Sequence, residues 1–258
     1  MGDNKKPLIL VTNDDGITSL GIRELISVMK SIGEVVVVAP DKPQSGTGHS
    51  ITLEHPLRLK KINEDGNHVE YSCSGTPVDC VKLAVNVVMH KKPDLLVSGV
   101  NHGSNSSINV IYSGTMSAAM EGALEGIPSF GISLLDYAPD ADFSAAKIYA
   151  KTIAENVLKD GVPRGTCLNV NIPALSKKNI KGVKVCRQAN GNWLEEFDER
   201  KDPYGNKYYW LTGVFKNYDK GADTDEWALK NGYVSVVPVQ YDLTAHDTIS
   251  VLNQWSYE

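Results

Sequence analysis

A chain of 258 residues with 41% hydrophobic content can bury one sizeable core, and it holds no run near the ~20 apolar residues of a membrane-spanning helix. Its 26 basic and 31 acidic residues leave a net charge of −5, which argues against a nucleic-acid polymer as partner; a small phosphate substrate stays open if a cation or backbone amides supply local positive charge. Residues 1–7 carry charge without the apolar core of a signal peptide, and Cys73, Cys80, Cys167 and Cys186 form no C-x-x-C pair, so reduced core thiols and a cytoplasmic location are expected.

Taken in chain order, residues 8–13 read as a buried strand that runs straight into Asp14-Asp15-Gly16. A helix pattern follows at once, with Ile22, Leu25, Ile26, Met29 and Ile32 at helical spacing and Gly33 as its stop. Residues 34–39 (EVVVVA) form a second strand; its continuous apolar run predicts a strand covered on both faces, hence a parallel sheet. After a Pro/Gly/Ser-rich loop over 40–50, residues 51–62 and 68–73 alternate as a small antiparallel insertion turning at Glu64-Asp65-Gly66-Asn67. Thr76 and Pro77 open a helix over 78–89, residues 94–98 form the third core strand, and a Gly/Asn-rich loop runs on to Ser113. A helix over 114–126, a strand over 128–134, a helix over 143–158 and a strand over 166–172 complete the alternation.

This pattern predicts an α/β fold, a Rossmann-like three-layer sandwich with a mostly parallel sheet, spanning 7–175 of a single domain of 1–258. Residues 176–258 differ in character: an aromatic hairpin over 193–211 turning at Asp202-Pro203-Tyr204-Gly205, a short helix over 224–230, a strand over 233–239 and an amphipathic tail. The hairpin is expected to be either an oligomer surface or a flap folded back on its own core.

The chemistry gathers where core strands end. In a parallel sheet the carboxyl ends share one edge, so Asp14 and Asp15, the loop of Asp41 to Ser45, and Ser98 to Asn101 converge although distant in sequence. Two carboxylates, a hydroxyl and a carboxamide form an all-oxygen set that suits a hard cation, Mg²⁺ or Mn²⁺, better than zinc. The plain alternative makes the first aspartate a helix cap and its neighbour a solvated residue. Two glycine turns that open helices, Ser74-Gly75-Thr76 and Ser113-Gly114-Thr115, present backbone N–H groups to an anion or serve as ordinary caps. His49 and His102 are loop histidines, each a candidate general acid or simply solvated.

With those residues assembled, the chain resembles the SurE family of 5′-nucleotidases. The matching strings are ILVTNDDGI (9–17), VVVVAPDKPQSGTGHSIT (35–52), SGTPVDCVKLA (74–84), DLLVSGVNHGSN (94–105) and YSGTMSAAMEG (112–122), with GNKYYWLTG and NGYVSVVP in the extension. The resemblance implies a metal-dependent phosphomonoesterase acting on nucleoside 5′-monophosphates, with 3′-monophosphates and short polyphosphate as further substrates. It also implies a homodimer or homotetramer built through C-terminal arms. By motif, one cation per subunit would be held by Asp14, Asp15, Ser45 and Asn101, with Asp14, Asp15 and Asn101 catalytic. Ser45, Gly46, Asn101, Ser113, Gly114 and Thr115 would bind the phosphate. Asn109 stands in INVIYSGT where the family often has Asp, and His102 follows Asn101 where others vary. The rival readings are a Mg²⁺-binding receiver-like signalling module, which wants an aspartate where Asn101 stands, and a haloacid-type phosphatase, whose D-x-D order is absent.

Overall fold

The protein is described here by a computed structural model covering residues 6–257; most of the N-terminal segment read as carrying no signal peptide lies outside the described residues. Strand β1 (Leu8–Thr12) leads to helix α1 (Leu20–Met29) and strand β2 (Glu34–Pro40). A hairpin of β3 (Leu59–Asp65) and β4 (His68–Cys73) precedes α2 (Pro77–Leu83), which runs on into a π-helical turn, Ala84–Val88. Then come β5 (Leu95–His102), the single turn α3 (Asn109–Tyr112), α4 (Gly114–Leu124), β6 (Ser129–Leu134), α5 (Ser144–Asp160) and β7 (Thr166–Ile172). The remainder holds β8 (Val183–Val185), the long hairpin β9 (Gly191–Lys201) and β10 (Lys207–Asn217), α6 (Asp225–Lys230), β11 (Val234–Gln240) and α7 (His246–Leu252).

The central sheet has nine strands in the order β3-β4-β2-β1-β5-β6-β7-β11-β8, parallel except where β3 meets β4 and β7 meets β11. The period-two alternation of a strand explains why the apolar runs are continuous. Ile9 and Val11 face one way, into a core shared with Ile22 and Leu25 of α1 and Ala150 and Ile153 of α5. Leu10 faces the other way, onto Cys80 and Val81 of α2 and Ala118 of α4. Helices on both faces make the three layers that the alternation implied. All four cysteines are free and buried, matching the expectation of core thiols.

Several boundaries differ, each for a local reason. Strand β3 begins at Leu59 rather than 51, because Ile51 and Leu53 are exposed and the chain there is held as a loop by Asp79, which accepts from the N–H and the hydroxyl of Thr52. The hairpin is no separate insertion: β4 pairs parallel with β2 and extends the main sheet. The helix expected straight after the aspartates starts only at Leu20. Strand β8 was missed, and β11 joins the sheet between β7 and β8, so part of the region beyond 175 completes the core. Strands β9 and β10 pair only with each other and stand apart as a two-stranded arm. Among the described residues no helix is long and apolar enough to cross a membrane.

From β1 the chain steps to β2 and β4 on one side and returns to β5 on the other. That reversal opens a crevice at the carboxyl ends of β1 and β5, the place where open α/β sheets take ligands.

Candidate active site

The turn after β1 is built by Asn13, whose buried Nδ2 donates to Gly16 O and to Ser19 Oγ, both at 2.9 Å. Gly16 sits at φ +95°, a left-handed conformation that favours glycine and folds the chain back so that both aspartates stay at the strand end. The residue that caps α1 is Ser19, so neither Asp14 nor Asp15 is a helix cap. The loop after β2 is tied to this turn: Ile17 N–H donates to Pro40 O, and Gln44 N–H donates to Asp14 O at 2.7 Å, which delivers Ser45 to the aspartates.

Strand β5 runs further than its apolar pattern indicated. Ser98 lies within it, in register with Thr12 and fully buried, so its hydroxyl does not reach the crevice. Asn101 is the penultimate residue of the strand; its Nδ2 donates to Gly103 O at 2.9 Å, leaving the carboxamide oxygen for another partner. The His102 N–H donates to Asp15 Oδ2 at 3.3 Å, and the His102 ring packs edge-on against Phe143.

The third wall is the start of α4. Ser113 caps it, accepting from Met116 N–H, and Thr115 donates from its hydroxyl to Asp14 Oδ1 at 2.5 Å. A Cβ on Gly114 would stand 2.7 Å from Asp14 Cβ, so the close approach of helix and carboxylate requires glycine. Burial pushes the Asp14 carboxyl up to about 6; the Thr115 hydrogen bond opposes that and the charge of Asp15 adds to it. Asp15, half-buried, is also raised by burial, against the His102 N–H. Among the described residues no Lys or Arg acts on either carboxylate.

A cleft of about 340 Å³ opens above these residues. Asp14, Ser45, Gly46, Asn101 and Ser113 line it, five of the eight site residues expected from the sequence. Asp15, Gly114 and Thr115 lie beside it, and the Thr115 hydroxyl is turned toward Asp14 rather than toward the cleft. Asn109 also lines the cleft and accepts from the indole N–H of Trp193 at 2.8 Å.

The other candidates fall away from the cleft. His49 Nε2 bonds to buried Glu121 at 2.9 Å, and Glu121 also accepts from Lys82. Asp41 is exposed and bonds through its backbone N–H to Cys73 O. The turn before α2 is an ordinary cap, with Thr76 and Asp79 closing a capping box.

Two groups of supporting residues were not foreseen. Asn105 is held by a buried ladder: its N–H donates to Asn171 Oδ1, its Nδ2 to Ser133 Oγ, and its carbonyl accepts from Asn169 Nδ2. Polar Asn169 and Asn171 alternate inside the apolar strand β7, a pattern that marked them for a shared partner. Asp225, fully buried, accepts from the N–H groups of Ser107 and Ala189, tying the loop before α3 to the root of the arm, and Glu226 accepts from Ser106 Oγ. Nothing in the sequence pointed to this pair, which lies 118 and 120 residues from its partners Ser107 and Ser106.

Among the described residues no three His, Cys, Asp or Glu side chains gather as a metal cluster. The site nonetheless fits a hard cation: two adjacent carboxylates, one buried and unpaired with any basic side chain, border two neutral oxygens, and an uncompensated buried charge calls for a positive partner. In comparison with known proteins, residues 9–195 match the family model described as Survival protein SurE. The chain is 64% identical over 256 residues to the 5′-nucleotidase SurE of Christiangramia forsetii, with 98% of each covered, and 48% identical over 252 residues to that of Bacteroides thetaiotaomicron, with 97% of this chain and 96% of the relative covered. The crystal structure of the SurE protein from Aquifex aeolicus superposes with a TM-score of 0.83 at 42% identity, covering 96% of this chain and 98% of that one.

Proposed function

Since this chain belongs to the SurE family over nearly its whole length, we infer that it is a 5′-nucleotidase, releasing phosphate from nucleoside monophosphates. The observation that carries the finer reading is the buried, uncompensated Asp14 beside Asp15 at the rim of the cleft. A divalent cation, Mg²⁺ or Mn²⁺, one per subunit, held by Asp14, Asp15, Ser45 and Asn101, would neutralise phosphate oxygens and lower the pKa of an attacking water.

The remaining work belongs to positioning and electrostatics, which dominate phosphoryl transfer and require no activated Ser or Cys. Thr115 holds Asp14 in place through its hydroxyl, and His102 steadies Asp15 through its N–H. Ser45, Gly46 and Ser113 face the phosphate, and the N–H of Gly114 at the start of α4 supplies the positive end of a helix to the charge that develops. Water adds to phosphorus, the bond to the ester oxygen breaks, and the nucleoside leaves as its alcohol. The same site would accept 3′-monophosphates and short polyphosphate, which present the same terminal group.

The receiver-like alternative is not favoured, since β5 ends at Asn101-His102 and offers no aspartate to accept a phosphoryl group. The four free thiols support a cytoplasmic location, and the arm supports a dimer or tetramer. Phosphate release from a nucleotide panel, measured after chelation and after adding Mg²⁺ or Mn²⁺ back, tests the reading: activity falls to background with chelator and returns with the ion. Rates indifferent to chelation would remove the cation.

A further inference from the structure

The cleft does not end at the phosphate. A notch of about 470 Å³ adjoins it, sharing Gly46, Tyr112 and Trp193 with the cleft lining and reaching along the arm past Glu195, Leu211 and Gly213. The arm's register explains its shape. Trp193 stands opposite Phe215 and Glu195 opposite Gly213, while Leu211 is two residues before Gly213, so all five lie on one face of the ribbon. Gly213 has no side chain and its backbone is at φ +149°; a Cβ there would come 2.5 Å from Leu194 O. The obligatory glycine leaves a gap between the Trp193 indole and Leu211, and Tyr112 of α3 borders it from the core side.

The indole is fixed rather than loose. Its N–H is spent on Asn109, and it packs edge-on against Phe215 at 5.8 Å between ring centroids. It is still 38% exposed, and Tyr112 is 49% exposed. A charged, oxygen-lined cleft joined to a flat aromatic notch matches a phosphate joined to a planar ring. At the rim, Glu195 has no ion pair among the described residues. A carboxylate only accepts hydrogen bonds, so it selects a ring edge that carries amino groups.

We propose that this notch is the nucleobase subsite: the base stacks on Trp193 beside Tyr112 and Leu211, and Glu195 accepts from its amino edge, favouring guanine and adenine over uracil. The assignment rests on the nucleotidase reading above. It is tested by steady-state kinetics of the full chain on GMP, AMP, UMP and ribose 5-phosphate, which keeps the phosphate and lacks the base. Trp193→Ala raises KM for GMP about tenfold more than KM for ribose 5-phosphate, with kcat for GMP within about twofold, and Trp193→Phe restores most of the loss. Glu195→Gln lowers the GMP-over-UMP ratio of kcat/KM about tenfold. Equal effects of Trp193→Ala on GMP and ribose 5-phosphate, or a GMP-over-UMP ratio untouched by Glu195→Gln, overturn the subsite while leaving the nucleotidase in place. A parent protein that releases phosphate from none of the four overturns both.

Discussion

The cleft and the arm invert the usual rule of burial in opposite senses. At the cleft, polar groups are inside: Asp14, Asn101, Asn105, Ser113 and Thr115 are buried, each with a named partner in its own chain. On the arm, apolar groups are outside: Phe197 is 65%, Trp210 58%, Leu211 63% and Val214 68% exposed, on both faces of a ribbon with no helix over it. These hydrogen bonds orient the cleft's polar groups, while among the described residues the charge of Asp14 is left without a basic partner. An exposed apolar ribbon of this extent is uncommon on a monomer, which makes the arm the surface to test for contact with a second copy. Asp225 is where the two regions meet, bonding to the site loop through Ser107 and to the arm root through Ala189.

The largest effect is expected inside the cleft. Asp15→Asn should cut turnover about a thousandfold, ~4 kcal/mol of transition-state stabilisation, while the circular dichroism spectrum and unfolding midpoint stay close to the parent. Asp14→Asn separates stability from activity in the same place. The folded carboxyl titrates at about 6 against an ordinary 3.8, so the folded protein binds the proton more tightly than the unfolded chain. Without divalent cation, stability therefore falls as pH rises from about 4 to 6, and the neutral variant escapes that loss. Its unfolding free energy at pH 7 should exceed the parent's by up to ~3 kcal/mol in urea titrations, even as activity disappears.

Removing a support rather than a ligand is a smaller insult. Thr115→Val deletes the hydroxyl that holds Asp14 and should cost about 10–100-fold in kcat/KM or in cation affinity, measured by titrating the ion back into chelated protein. At the junction, Asp225→Asn turns an amide nitrogen toward a backbone N–H; a loss of ~2 kcal/mol in unfolding free energy and about tenfold in kcat/KM is expected. The arm should be the mildest for the fold. Trp210→Glu with Val214→Glu, on the ribbon face opposite the notch, should lower the sedimenting mass to that of one subunit while shifting unfolding by no more than ~0.5 kcal/mol. An unchanged mass would mean that the arm serves its own chain. The charge swap is the right test because truncation beyond 180 would also remove β11 from the sheet.

Much of this was legible along the chain, for reasons that are local. The continuous apolar runs of β1 and β2 required cover on both faces, and cover on both faces requires a layered α/β sheet. The Asn13-Asp14-Asp15-Gly16 string placed two carboxylates and a glycine at a strand end, and the structure keeps both aspartates beside the crevice. Cap residues such as Thr76 and Ser113 marked helix starts because the groups they satisfy lie within three residues. What the chain order did not disclose was distance. Whether Ser98 reached the cleft depended on how far β5 stayed paired, and it pairs with β1 through Ser98 and with β6 through His102. That Thr115 serves Asp14, that Asp225 clamps Ser107, and that Trp193 closes over Asn109 are contacts 84 to 118 residues long, decided only when the sheet order brings their elements together. Local patterns carry hydrogen-bond and burial demands, and only the folded chain shows which distant group meets each demand.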